Sequence, residues 1–598
     1  MANMIETDVL IVGSGPAGAT SAALLGMYGV KHILVTKYGW LADTPRAHIT
    51  NQRAMEVLRD LGLEEKALAQ ATKQNLMANN VFCQSLAGEE LGRLYSWGNH
   101  PTRRADYELA SPVSICDLPQ NLLEPILLEA AGQRGTAIRF NTEFVDLVQD
   151  AAHVTATVKD RLSGETYQIR AKYLIGADGS RSRVAEVVGL PMEGEMGRAG
   201  SMNIVANVDL TKYVAHRPSV LYWVLQPGAQ IGGIGAGVVR MVRPWNEWLF
   251  IWGYDLSQGE RKLSDDEAIS IVRNLVGDET LDVTIRSTST WTVNEMYAGH
   301  YSSGRVFCMG DAVHRHPPTN GLGSNTSIQD AYNLCWKLKY VLENKSSPAL
   351  LDSYSAERQP VGQQIVKRAN KSIGDFEPIF EAVGLLSSAD PAEARKNMEA
   401  RKAATPESKE RRRRLYQAIA QKSYEFNCHG VEMNQRYASA AVIPDGTPEP
   451  AFTRDHELYY HATTWPGAHL PHVWIEHCGM RKSTLDLAGK GRFTLLTGIG
   501  GEGWRSAAAA VEAAYGVSVD VVTIGPAGCD ALDIYADWYR QSEVEEDGCV
   551  LVRPDIYVAW RAREAMPNAS DVLVNVFGAL LGRTAVIDHR SNASVAAA

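Results

Sequence analysis

The sequence predicts an α/β protein of several domains: a Rossmann-like domain at the front, a β-rich domain inserted into it, and a second α/β domain at the carboxy-terminus. Three observations predict this. A strand, a glycine turn, a small-residue helix and a second strand follow one another from residue 6. Between about residues 200 and 295 the pattern switches to aromatic-rich alternation, and from about 440 to 590 a fresh α/β pattern follows a charged helical stretch. At 598 residues the chain is also too long for one hydrophobic core.

The elements follow in order. "ETDVLIVGSGPAG" (6–18) reads as a buried strand entering a glycine turn, "ATSAALLGMYG" as a helix of small residues, and "KHILVT" as a second strand. A weaker α/β pattern runs to about residue 180 and ends in "YLIGADGSRSRV". The segments "SVLYWVLQ", "WLFIWGYD" and "STSTWTV" alternate in the way of a sheet with one face against a core or cavity. Two helices follow, "SIQDAYNLCWKLKYVLEN" and "LLDSYSAERQPVGQQIVKRANKS"; residues 372–440 are helical, charged and irregular, like a linker packed on the body. The last region carries the strands "RFTLLTG", "VDVVTI" and "GCVLVRP". There is no internal repeat and no low-complexity segment.

Composition excludes several functions. A net charge of −10 without a large basic face argues against an electrostatic nucleic-acid binder. The one dense basic run, Arg411 to Arg414, lies among glutamates and lysines and reads as a solvated helix face or a subunit contact. The eight cysteines (Cys83, Cys116, Cys308, Cys335, Cys428, Cys478, Cys529, Cys549) form no C-x-x-C or other metal-ligand spacing, so no metal site is expected. Free thiols in apolar runs suit a reducing compartment. With no basic segment leading an apolar signal core, and no apolar run of spanning length, the expected location is the cytoplasm, away from membranes. No Gly-x-Ser-x-Gly nucleophile elbow is present.

Three motifs carry the chemistry. Gly13, Gly15 and Gly18 form G-x-G-x-x-G between a strand and a helix, the pattern of a dinucleotide-binding turn. The helix N-terminus there offers unpaired N–H groups and a positive dipole end to a diphosphate. The acidic residue expected about twenty positions on, for the adenosine ribose, is missing, and "ILVTKYG" offers Thr36 and Lys37 instead. The second motif, "GADGSRSRV" (176–184), ends a strand at Asp178 and Gly179; alone it reads as a turn whose aspartate caps the next helix. The third is "RVFCMGDAVHRHPPTNGLGSNTSIQDAYNL" (305–334), where a strand stops at Gly310-Asp311 and a loop of prolines and glycines leads into a helix. A helix cap and tight turn would explain the aspartate but not the prolines and glycines together.

Taken together, these three motifs resemble the single-component flavin-dependent aromatic hydroxylases. "PRAHITNQRAMEVLRDLG" (45–62), "CDLPQNLLEPIL" (116–127), "HRPSVLYWVLQPG" (216–228), "GVVRMVRPWNEW" (237–248), "STWTVNEMY" (289–297) and "DGCVLVRPDIYVAWR" are similar to the phenol hydroxylase branch of that family, and the likeness covers nearly the whole chain. The resemblance implies FAD as cofactor. It implies that Asp311 bonds the ribityl chain, that Pro317 and Pro318 brace the isoalloxazine side of the pocket, and that "TNGLGSN", with Gly321, Leu322, Gly323 and Asn325, aims backbone N–H groups at the flavin pyrimidine. A positive helix end suits that edge, because reduced flavin carries negative charge there, and glycines let a planar ring lie on bare backbone. It also implies that Arg46 approaches the flavin, that Gln120 contacts its ribityl or phosphate region, and that Asp178 belongs to the cofactor site.

His48 stands where the fungal phenol hydroxylases carry an aspartate thought to take the phenol proton. It reads either as that general base or as a histidine bonded into the loop under the flavin. His314 and His316 read as structural. The resemblance further implies an FAD-binding domain over 1–190 and 296–372, a β-rich substrate domain over 191–295, a helical linker over 373–440, and a thioredoxin-like domain without redox cysteines over 441–598. The expected activity is ortho-hydroxylation of phenols or chlorophenols to catechols with O2 and NADPH, by a homo-oligomer (dimer or tetramer), in aromatic degradation. A hydroxylase of the same fold acting on another phenol or a polyketide, or a flavin-binding protein without turnover, are the alternatives.

Overall fold

The unbroken apolar run 9–12 in the second half of Ile5–Val12 (β1) leaves no polar face there, so the strand belongs in the middle of a sheet. The computed structural model, which describes residues 4–227, 236–254, 256–259, 261–386, 388 and 390–584, places it there. β1 runs parallel to His32–Val35 (β2) on one side and to the strand Thr166–Gly176 on the other. The strands Val306–Cys308 and Ala137–Arg139 extend the parallel order outward. Between β1 and β2 the helix Pro16–Met27 (α1) is buried along most of its length. Its alanines and glycines let it lie between the helices Gly323–Leu342 and Gln120–Gln133.

The β-rich region forms a second eight-stranded sheet, and it is wider than the expected 191–295. Its central strands are Met192–Asn207, Glu247–Tyr254, Gly237–Arg243 and Ser219–Val224. Two strands from the expected cofactor domain, Asn79–Cys83 and Glu90–Tyr95, complete one edge, the first pairing parallel with Ser219–Val224. At the other edge His314–Arg315, from the proline-glycine loop, pairs with Thr284–Ala298. The sheet is thus stitched to the cofactor domain at both sides. One face packs on the helix Asp265–Val276 through Ala268, Val272 and Leu275. The ends of two expected segments, Gly228 and Asp255, lie outside the described residues, as do 585–598 of the expected carboxy-terminal domain.

The stretch 373–440 is a string of short helices. In Pro406–Gln421 the basic run divides its work. Arg411 bonds the carbonyls of Val383 and Asn397, Arg412 that of Ala403, while Arg413 and Arg414 pair with Glu410 on the exposed side. The carboxy-terminal domain holds a seven-stranded mixed sheet. A parallel pair, Phe493–Thr497 and Val519–Gly525, sits beside an antiparallel edge, Cys549–Val552 and Val558–Ala562, with the helices Gly503–Tyr515 and Ala569–Leu581. That domain is bolted to the cofactor domain by buried charges. Arg553 grips Glu357 Oε1 and Oε2 at 2.6 and 2.8 Å and Asp555 at 2.6 Å, and Lys337 adds a bond to Glu357 at 2.7 Å. Arg553, Glu357 and Lys337 are fully excluded from solvent. Removing one member would leave a buried charge uncompensated, a loss of about 3–5 kcal/mol. No described helix is long and apolar enough to cross a membrane.

Candidate active site

The three glycines of the first motif have different physical reasons. Gly13 has φ 108°, and a Cβ there would overlap the carbonyl oxygen of Ala177, so no other residue fits. A Cβ on Gly18 would overlap the carbonyl of Gly13; its absence lets α1 pack on the turn. Gly15, the N-cap of α1, has an ordinary backbone, and a Cβ there would meet nothing nearer than Glu124 Oε1 at 4.0 Å. Protein neighbours do not require glycine at 15, and the absent side chain leaves the N-terminus of α1 open.

At the end of β2, Thr36 is buried and bonded to Ser14 Oγ at 3.2 Å, while Lys37 is exposed. A carboxylate reaches the turn from elsewhere. Glu124, in Gln120–Gln133, accepts from Ala42 N at 2.8 Å and from Gln120 Nε2 at 2.6 Å. Burial pushes its pKa up, with Arg46 among the groups that pull it back. Arg46 itself is exposed beside this carboxylate. The segment around it is pinned by backbone bonds: Gln120 N–H to Ala47 O and Leu118 N–H to His48 O, both 2.7 Å, and the pairing of Ile49–Thr50 (β3) with Cys116–Asp117.

The Gly310-Asp311 turn is wedged into the same region. A Cβ on Gly310, which has φ 61°, would stand 2.8 Å from Ser327 Oγ and 3.3 Å from Ala17 Cβ, so the turn touches both α1 and Gly323–Leu342. Beneath it, Asp330 accepts from Gly310 N at 3.1 Å, from His314 Nε2 at 2.9 Å and from Arg358 Nε at 2.8 Å, all fully buried. That trio fixes the turn and gives His314 its structural role. His316 lies against the Pro317 carbonyl at 2.7 Å; burial, aided by His314, takes its pKa down to about 4. Asp311 is exposed, and its carboxylate has no hydrogen-bond partner among the described residues.

The loop that follows holds Pro317 buried and Pro318 exposed. Gly321 has φ 64°, and a Cβ there would crowd Ile49 Cβ at 3.0 Å; at Gly323 the nearest atom would be in the His316 ring, 3.5 Å away. Leu322 is buried against Val361 and Val431. Thr326 N–H closes a helical bond to Leu322 O at 2.8 Å, and the N–H groups just ahead of it belong to the helix end that has no intrahelical acceptors. Asn325 fastens this loop to the 45–51 segment, donating to Ile49 O at 2.8 Å and Gly321 O at 2.6 Å and accepting from Asn51 N at 2.9 Å.

Asp178 is bonded into its own turn. Its carboxylate accepts from Ser182 Oγ at 2.5 Å, Arg183 N at 2.8 Å and Val184 N at 3.2 Å, which is the work of a helix cap. Only its backbone abuts the cofactor turn, 3.0 Å from where a Cβ on Gly13 would stand. The side chain is thus engaged within its own turn, while its backbone lies beside Gly13.

His48 lies at the rim of this arrangement with its side chain 14% exposed. Its Nδ1 is 3.2 Å from Oδ1 of Asp117, which is fully buried. A carboxylate oxygen facing Nδ1 favours the tautomer with the hydrogen on Nδ1, which leaves a lone pair on Nε2. Arg240, in Gly237–Arg243, stands 4.0 Å from the same oxygen and donates to the carbonyls of Pro45 and Arg46. Burial and then Arg240 lower the His48 pKa, against Asp117, which favours the neutral imidazole. Adjoining Ile49 is a buried apolar cluster that includes Met77, Trp97, Ile115, Trp223 and Phe426.

Sequence reasoning missed Asp117, Arg240 and Glu124. The only available signal was a charge inside an apolar run, as in "ICDL" and "GVVRMVR". The residues present fit FAD: bare backbone at Gly15 and Gly323, an unengaged carboxylate at Asp311, and two helix N-termini in one region.

Comparisons with known proteins give the chain a family and relatives along nearly its whole length. Residues 6–369 match the family model described as FAD binding domain, and residues 463–583 match aromatic-ring hydroxylase, C-terminal. The chain is 59% identical over 572 residues to 2,4-dichlorophenol 6-monooxygenase of Delftia acidovorans, covering 96% of this chain and 97% of the relative. It is 50% identical to phenol 2-monooxygenase of Pseudomonas sp. (strain EST1001), over 96% of this chain and 93% of that one. Among solved structures it is similar to the flavin-dependent monooxygenase PieE in complex with FAD and substrate, with a TM-score of 0.93 and 47% identity over 97% of this chain and 100% of that chain.

Proposed function

The chain belongs to the family of FAD-binding aromatic-ring hydroxylases, and from that membership we propose that it hydroxylates phenols ortho to the existing hydroxyl, with 2,4-dichlorophenol going to 3,5-dichlorocatechol, using NADPH and O2. FAD, when bound, supplies the redox chemistry, taking reducing equivalents from NADPH and delivering one atom of O2 to the ring. The turn of Gly13, Gly15 and Gly18 takes the diphosphate on the α1 N-terminus, flanked by Arg46 and Gln120. Asp311 accepts from ribityl hydroxyls. Pro318, Gly321, Leu322 and Gly323 lay backbone along the ring system, in a loop held by Asn325.

His48 Nε2 accepts the phenol proton, and the phenolate so formed carries more electron density on its ortho carbon. The apolar cluster around Ile49, Trp97, Trp223 and Phe426 keeps water from the reacting ring. The arrangement that carries this reading is His48, its Nδ1 3.2 Å from a buried carboxylate, between the cofactor loop and a buried apolar cluster. A homo-oligomeric, cytoplasmic enzyme is part of the same proposal, and sizing of the purified chain tests the first half.

The decisive experiment identifies the product and the ratio of catechol formed to NADPH consumed, with 2,4-dichlorophenol and with phenol. Holoenzyme whose NADPH oxidation responds to neither substrate would overturn the proposal. His48→Ala should keep the bound-flavin spectrum and slow oxygen transfer by about 10²–10⁴-fold below the phenol pKa. The defect should shrink above that pKa, where solvent delivers phenolate.

A further inference from the structure

We infer that Asp117 and Arg240 are positioning residues for the proton transfer: Asp117 holds the Nδ1–H of His48 so that Nε2 faces the phenol, and Arg240 holds both Asp117 and the backbone that carries His48. The inference rests on the reading of His48 as proton acceptor.

The position of Asp117 is set twice over by backbone. It pairs with Ile49 across the β3 ladder, and its N–H and C=O exchange bonds with Thr72. Its carboxylate is fully buried, yet Oδ2 has no hydrogen-bond partner among the described residues, where Oδ1 alone is engaged, between His48 and Arg240. A carboxylate kept only to join strands would be expected to satisfy both oxygens. Arg240 is equally unusual. It is 2% exposed, spends Nη1 on two backbone carbonyls, and leaves Nε and Nη2 without a hydrogen bond among the described residues. At 4.0 Å from Asp117 it acts through its field and through the 45–46 backbone, without closing a bidentate pair.

The step balances. The phenol O–H bond breaks, an N–H bond forms at Nε2, and the electron pair stays on the phenolate oxygen. The Nδ1 hydrogen remains on His48, facing Asp117, whose charge stabilises the imidazolium. Asp117 and Arg240 are the charged groups that act on the ring. In the resting enzyme Arg240 disfavours the imidazolium and Asp117 favours it, which leaves an acceptor that is neutral but not disabled.

A double-mutant cycle on the FAD-loaded enzyme tests this, reading catechol formed per NADPH across pH together with the flavin spectrum. Asp117→Asn should slow oxygen transfer by about 10–100-fold in the native background and cost little more in His48→Ala. Its acid limb should move to lower pH, because losing the carboxylate charge makes imidazolium harder to form. Equal losses in both backgrounds, or an unmoved limb, would overturn the inference. Full coupling in His48→Ala alone would instead defeat the proton-acceptor reading, a distinguishable result. Should Asp117→Asn fail to fold, ¹⁵N-histidine spectra of the native holoenzyme, with His48→Ala for assignment, decide the matter. The Nδ1–H tautomer is expected, and the Nε2–H tautomer overturns the inference.

Discussion

Oδ1 of Asn325 accepts the backbone N–H of Asn51 at 2.9 Å, across 274 residues of sequence. The same Asn51 caps the helix Gln52–Asp60 through Ala54 N at 3.0 Å. One amide thus ties the proposed ring loop to the segment that presents His48. Asn325→Ala would leave Asn51 N–H and the Ile49 and Gly321 carbonyls without that partner. Each buried group so exposed costs about 1–3 kcal/mol. The expected result is a lower melting temperature and more peroxide per NADPH, measured by calorimetry and peroxide assay. Unchanged coupling would show that the two loops keep register without the amide.

Gly15 and Gly18 should separate folding from binding. Gly18→Ala forces a methyl onto the Gly13 carbonyl, so the apoprotein itself should lose stability. Gly15→Ala has room in the protein. Its apoprotein should melt within about 0.5 kcal/mol of the native chain, while FAD binding weakens by about 1–3 kcal/mol from overpacking against the diphosphate. Flavin titration of both apoproteins checks this; native affinity in Gly15→Ala would move the diphosphate elsewhere.

The two aspartates of the motifs should behave oppositely. Asp311 is exposed and unengaged, so Asp311→Ala should weaken FAD by about 1–3 kcal/mol with little effect on the apoprotein. Asp178 caps a helix, so Asp178→Ala should cost about 0.5–2 kcal/mol of stability. Flavin fluorescence on dissociation and apoprotein melting give the four values needed.

Glu432 sets a pH dependence. It is buried in the short helix His429–Met433, with the Cys428 thiol, 3.9 Å away, as its one side-chain partner among the described residues, and burial pushes its pKa up to about 8. The folded chain therefore holds a proton there that the unfolded chain releases near pH 4.5. Stability from this group is full below that value, declines as pH rises, and is gone above pH 8. Glu432→Gln should flatten the decline in denaturant midpoint between pH 5 and 8. An unchanged slope would mean that Glu432 finds a partner or water in solution.

What the sequence made legible was local. Gly13, Gly15 and Gly18 lie within six residues, so their spacing alone marks a dinucleotide-binding turn, while the run from Gly310 to Asn325 is contiguous and is read through the family resemblance. Asp117 and Arg240 were illegible because they meet His48 only after three distant strands assemble. The width of the β-rich sheet was hidden for the same reason: Asn79–Cys83 joins Ser219–Val224 through backbone bonds that leave no mark on either sequence. Asp178 showed the limit of a short motif, since a cap and a ligand ask for the same residue at the same place. The missing acid after β2 was read correctly as missing, but Glu124, which brings a carboxylate to that turn, comes from a helix that periodicity cannot aim.

Glu357 and Arg358 are neighbours on the helix Asp352–Gly374, yet they serve different clients. Glu357 receives Arg553 from the carboxy-terminal domain, and Arg358 steadies Asp330 beneath the Gly310 turn. The two ends of the gene are thereby bound to one inheritance. A recombination event that exchanged the last third of the chain between relatives would have to carry a matching partner for Glu357, or strand a charge beside the very residue that supports the cofactor turn. Viable crossovers in such a lineage should therefore preserve the pairing of 357 with 553 wherever the breakpoint falls, and chimeras that break it should be lost before their substrate range is ever selected.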